Sequence, residues 1–222
     1  MKRPTTPAIK VWDPFVRVFH WSLVMAFLVA YFIEPEDSTL AVHVWAGYVV
    51  GGLIVLRIIW GFVGAPHARF SDFLFGPFTA FRYLLSLLGG RSKRYLGHSP
   101  AGAWMVFGLL TALLITVLSA MAVYAQDENK GPLAAIFASS GDMPSGFSIV
   151  TPARADVGEE DDDDEGMRGE GGQGETFKDL HEVVANLTLI LALLHIGGVF
   201  LASFVHRENL VRSMVTGRKR PE

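Results

Sequence analysis

The chain has 222 residues, 50% of them hydrophobic and 18% charged, with a net charge of −3 and a mean hydropathy of +0.34. Soluble domains average ~25% charged residues, so this shortfall excludes an ordinary water-soluble body. The absence of cysteine excludes disulfides, thiolate zinc sites, iron–sulfur clusters and covalently attached c-type haem.

Taken in chain order, Lys2, Arg3, Lys10 and Arg17 precede a first apolar run. No small-residue cleavage site follows at Ile33, Glu34 and Pro35, so the run is expected to stay as a helix and not to leave as a signal peptide. Spans are predicted at about 15–34, 41–64, 102–126 and 179–206, since helices of this length at ~1.5 Å per residue cross a ~30 Å hydrocarbon core. Between the second and third, Phe73, Phe78, Phe81, Leu84, Leu85 and Leu88 recur near helical spacing beside Arg82, Arg91, Lys93 and Arg94. That pattern suits a short helix in the headgroup region or a plain amphipathic loop. The N-terminal arm, the 65–101 connection and the tail are basic, whereas Glu34, Glu36 and Asp37 and the run Glu159 to Glu165 make the other two connections acidic. Lysine and arginine bias, with an even number of spans, then predicts both termini in the cytoplasm. The acidic, glycine-bearing 127–178 connection is expected outside and disordered. The fold class expected is all-α: one domain over 1–222, an integral membrane four-helix bundle with lipid around it.

His20, His43, His181 and His195 lie in or at the ends of spans, where ionisable side chains are costly and mark functional sites. His181 and His195 are 14 residues apart, a rise of ~21 Å and close to four turns, so they share a face at two depths. Alternation of the spans puts His43 with His181 toward the outside and His20 with His195 toward the cytoplasm. Two such pairs suit two bis-histidine haems, each iron taking one imidazole per porphyrin face. A proton relay or a copper or zinc site would also use imidazoles, but neither explains two separate depths. Gly47 and Gly51 follow His43 on its face and Gly198 follows His195; they either leave room for a porphyrin or form a small-xxx-small packing stripe. Arg57, 14 residues after His43, and Arg17, one turn before His20, either neutralise a haem propionate or snorkel to the headgroups. His98 marks the basic-side interface and could reach quinone or a propionate, while His67 and His206 read as headgroup-level residues. The tryptophans near span ends read as an aromatic belt.

Val11-Trp12-Asp13-Pro14-Phe15-Val16-Arg17-Val18-Phe19-His20-Trp21, Val42-His43-Val44-Trp45-Ala46-Gly47, Arg94-Tyr95-Leu96-Gly97-His98-Ser99-Pro100-Ala101-Gly102 and the stretch from His181 through His195 to Leu210 together resemble the bacterial cytochrome b561 family. The likeness is closest to the branch holding the b-type cytochrome subunits of nickel–iron hydrogenases, and it omits the acidic 127–175 insert. The resemblance implies four helices holding two non-covalent b haems on the four histidines, passing electrons between membrane quinone and a partner outside the membrane. A c-type cytochrome or another basic periplasmic protein, or a hydrogenase-type enzyme, is the partner expected; no nucleic acid is. The same family contains superoxide oxidases, which reduce quinone with electrons from superoxide, but the acidic outer loop would repel that anion and attract a basic protein. A haem-binding assembly subunit with redox-silent haems is a third reading.

Overall fold

The computed structural model describes residues 8–136 and 173–221, except the side chains of 173 and 174. Among the described residues, four helices are long and apolar enough to cross a membrane: α1 (Pro14–Phe32), α2 (Leu40–Val63), α4 (Pro100–Asp127) and α5 (Gln173–Val205). It is a multi-pass membrane protein, and its surface is inverted accordingly: large apolar side chains such as Val18, Phe32, Phe62, Phe200 and Phe204 point outward. Water would penalise such exposure, whereas lipid solvates it. Shorter elements are α3 (Pro77–Leu88), α6 (Leu210–Thr216) and two short strands, β1 (Ile9–Lys10) and β2 (Arg218–Lys219).

Two compact units are present, Met1–Val117 with Glu182–Glu222, and Leu118–His181. In the first unit, α1 starts where Asp13 accepts a 3.0 Å hydrogen bond from the Val16 amide and Pro14 fills the first turn, a standard N-cap arrangement. α1 packs on α2, with Phe15 stacked on Trp60 at 4.6 Å. The Tyr31 hydroxyl donates to Asn186 Oδ1 over 2.8 Å, joining α1 to α5. Thr188, almost fully buried, lies 3.4 Å from Thr116 where α4 meets α5.

The basic end of this unit is tied together by contacts that sequence reasoning missed. β1 and β2 pair antiparallel, Ile9 opposite Lys219, so both chain arms lie at one end of the bundle, as an even number of spans requires. Gly217, at φ +78°, makes the turn from α6 into β2, and its carbonyl accepts from the Val11 and Trp12 amides. The Trp12 carbonyl oxygen would lie 2.7 Å from a β-carbon at Gly217, so this position demands glycine for space as well as for its backbone angle. Glu208, on the turn after α5, receives two bonds from Arg94, at 3.0 and 2.9 Å, and one from the Arg220 amide at 3.1 Å.

The segment left open between helix and loop contains α3, preceded by a 3-10 turn at Phe70–Phe73. Ala80, Tyr83 and Leu87 face the protein, while Phe78, Phe81, Leu85 and Leu88 stay exposed, the disposition of a helix at headgroup level.

In the second unit, Lys178 bridges Asp127 at 2.9 Å. Residues 173–178 belong to α5, although the sequence reading put them in the outer connection. Charges such as Glu175 and Lys178 mark where lipid ends, not where a helix must end, and Glu175 in the first turn favours the helix dipole. The acidic run Glu159 to Glu165 lies outside the described residues.

Candidate cofactor site

His20 on α1 and His195 on α5 meet inside the first unit, their ring centroids 6.4 Å apart and their planes 55° apart. The Tyr31–Asn186 bond sets their register: Tyr31 lies 11 residues after His20 and Asn186 lies 9 before His195, consistent with antiparallel helices of matched rise. Two imidazoles bound trans to one metal through bonds of ~2.0 Å put their centroids about 6.3 Å apart. The observed centroid spacing is of the size that two imidazoles sharing one iron need. His20 Nδ1 is buried without a hydrogen-bond partner.

His43 lies in the first turn of α2, where its Nδ1 bonds the Ile33 carbonyl at 3.1 Å. A carbonyl only accepts, so Nδ1 carries the proton, and the bond orients the ring. In the second unit, His181 Nδ1 lies 3.3 Å from the Ser119 hydroxyl, which can orient that ring in the same way. Ser119 escaped the sequence reading because nothing in α4's apolar run marks a ring-orienting hydroxyl, and Ile33 because its contribution is a backbone carbonyl.

A β-carbon at Gly47 or Gly198 would meet no atom within 4 Å, so neither glycine serves as a tight helix-packing contact. Room of this kind beside His43 and His195 suits a porphyrin. Gly61 is the opposite case, since an added β-carbon would run into the Phe70 ring.

Arg57 does not snorkel. It is 3% exposed, donates through Nη2 to the Ala68 carbonyl at 3.1 Å and sits 5.0 Å over the Phe70 ring. Its Nη1 and the Nε of half-buried Arg17 are buried without a partner, leaving directed donors of the kind a carboxylate needs. His98, placed at the interface by sequence, has its ring between Trp12, at 4.8 Å, and Phe73, at 4.2 Å. Burial, then the charges of Arg57 and Lys219, press its pKa down to about 3, so it stays a neutral imidazole at physiological pH. Lys219 is pressed down to about 8 by burial and by Arg94, against the pull of Glu208. His206 is more than a headgroup residue, for its Nε2 lies 3.3 Å from both the Tyr83 and the Ser92 hydroxyls. His67 adopts φ 68°, and its amide donates to Asp72 at 3.0 Å.

Four apolar helices, two of which bring His20 and His195 to 6.4 Å, define a multi-pass membrane protein with a candidate cofactor site. A family model described as Prokaryotic cytochrome b561 matches residues 11–217, and the chain belongs to that family. Two relatives are named Probable Ni/Fe-hydrogenase B-type cytochrome subunit. The one from Rhizobium leguminosarum bv. viciae is 26% identical over 147 residues, 54% of this chain and 61% of its own. That from Azotobacter chroococcum mcd 1 is 28% identical over 153 residues, 56% of this chain and 62% of its own. The match thus spans less than two thirds of either relative. No solved structure matches the chain.

Proposed function

We propose that the chain is a di-haem membrane cytochrome that passes electrons between the quinone pool and a redox partner outside the membrane. The observation that carries this reading is the His20–His195 pair, 6.4 Å between centroids. Haem b, when bound, supplies reversible one-electron transfer. His20 and His195 would hold the inner haem iron from two antiparallel helices, and His43 and His181 are assigned to the outer one by their depth in the sequence. Arg57 Nη1 and Arg17 Nε, buried without a partner, would donate to the inner haem's propionates and offset the cost of burying those carboxylates. Neutral His98 and its aromatic neighbours line the basic end without adding a charge.

The printed name of the two relatives supports a hydrogenase-type partner. The Glu159 to Glu165 run supports a basic one such as a c-type cytochrome, which its field would steer, and weighs against superoxide as electron donor. The β1–β2 ladder and the lysine and arginine bias support an inner-membrane chain with both termini cytoplasmic and 127–178 outside, acting as a single domain. The test is anaerobic proteoliposomes of the haem-loaded protein given a short-chain quinol. Both haem components should become reduced, and quinone should reoxidise them. Haems that respond to dithionite but to neither quinol nor quinone would refute the quinone link.

A further inference from the structure

The basic end of the first unit carries a cleft of about 430 Å³ lined by Lys93, Arg94, Arg220 and Pro221. It has no part in the histidine site. Its two arginines are held in place by the protein. Arg94 bonds Glu208 and the carbonyls of Arg220 and Pro221, at 2.6 and 3.3 Å. Arg220 Nη2 bonds the carbonyls of His206 and Arg207, at 3.0 and 2.8 Å, the oxygens left open where α5 ends. Carbonyls orient a guanidinium without cancelling its charge. Among the described residues, Glu208 is the carboxylate bonded in this cluster, against Lys93, Arg94, Arg220 and buried Lys219. The cleft is therefore a preorganised concavity of net positive charge.

Its depth is set by its neighbours. Lys93 follows Ser92, whose hydroxyl shares His206 with Tyr83 of α3. The outer face of α3 exposes Phe78, Phe81, Leu85 and Leu88, and Phe204, just before the carbonyls that hold Arg220, is 84% exposed. The cleft thus adjoins exposed apolar side chains of α3 and of the end of α5, the setting of a headgroup-level site.

We infer that the cleft between the 91–94 segment and the tail binds the phosphate of an anionic phospholipid headgroup. Lys93 supplies the mobile charge, Arg94 and Arg220 the fixed ones, and the exposed face of α3 lies along the acyl chains. Native mass spectrometry of the haem-loaded full chain in detergent, with phosphatidylglycerol or phosphatidylcholine of the same chains, tests this. Wild type should retain phosphatidylglycerol preferentially, and Lys93→Glu should weaken that retention by about fivefold or more. Arg212→Glu, an exposed charge reversal on α6 away from the cleft, should leave it unchanged. Unaltered haem spectra in both variants would show the fold intact. Equal loss in the two variants, or no lipid preference in wild type, would overturn the site. Displacement of the lipid by millimolar inorganic phosphate would overturn the lipid assignment.

Discussion

Removing one imidazole from the inner pair should cost the same haem as removing the other. The 6.4 Å between the His20 and His195 centroids is close to the roughly 6.3 Å of two rings sharing one iron, so on the proposed function each ring is half of one site. His20→Ala and His195→Ala should each lower the haem-to-chain ratio from two to one, or turn the same optical component high-spin. The double variant should lose nothing beyond either single one, because the two side chains act as a unit. His43→Ala should remove the other component, and His43→Ala with His195→Ala should leave none. Pyridine haemochrome content against protein concentration gives the ratio, and reduced-minus-oxidised spectra identify the component. Retention of the other low-spin component in each single variant shows that the bundle has folded. A double His20/His195 variant that loses both haems while each single variant loses one would refute the pairing. So would His20→Ala and His43→Ala removing the same component.

Glu208→Gln should loosen the junction of tail and N-terminal arm by about 2 kcal/mol, below the ~3–5 kcal/mol of a fully buried pair because Arg94 keeps 20% exposure. Hydrogen exchange in peptides covering 9–12 and 210–221 should report it; unchanged protection would refute it. Burial raises the Glu208 carboxyl, but the bonds from Arg94 and Arg220 outweigh burial and hold it below the usual range. Its contribution is thus present above the unfolded value of ~4.3 and is lost as pH falls through the lower folded value, where the same protection should fade. Gly61→Val should push Phe70 off its place under Arg57 and lower the melting midpoint in detergent by an overpacking cost of about 1–3 kcal/mol, and an unchanged midpoint would contradict the contact. Alkaline phosphatase fused after Glu222 should be inactive and a fluorescent protein fused there bright; the reverse would invert the topology.

What could be read in advance divides along a physical line. Apolar length marks where a helix is able to cross lipid, so the four long apolar helices were legible in the sequence to within a few residues. Rotation about a helix axis leaves no such mark. Arg57 reads identically whether it reaches the headgroups or turns inward; the choice is made by the Ala68 carbonyl and the Phe70 ring, on a segment outside the span. The partners at the basic end were illegible for a related reason. Arg94 and Glu208 are 114 residues apart, and two-residue strands such as β1 and β2 have no periodicity to detect. α5 shows the limit of hydropathy itself, since it continues through Lys178 and Glu175 past the point where lipid can follow. A ring-to-ring distance needs both coordinates, depth and rotation. His20 and His195 acquire the second through polar contacts such as Tyr31 with Asn186, which pin α1 against α5 one helical stretch away from the rings. A redox site built this way has ligands that sequence can nominate and a geometry that only the packed helices decide.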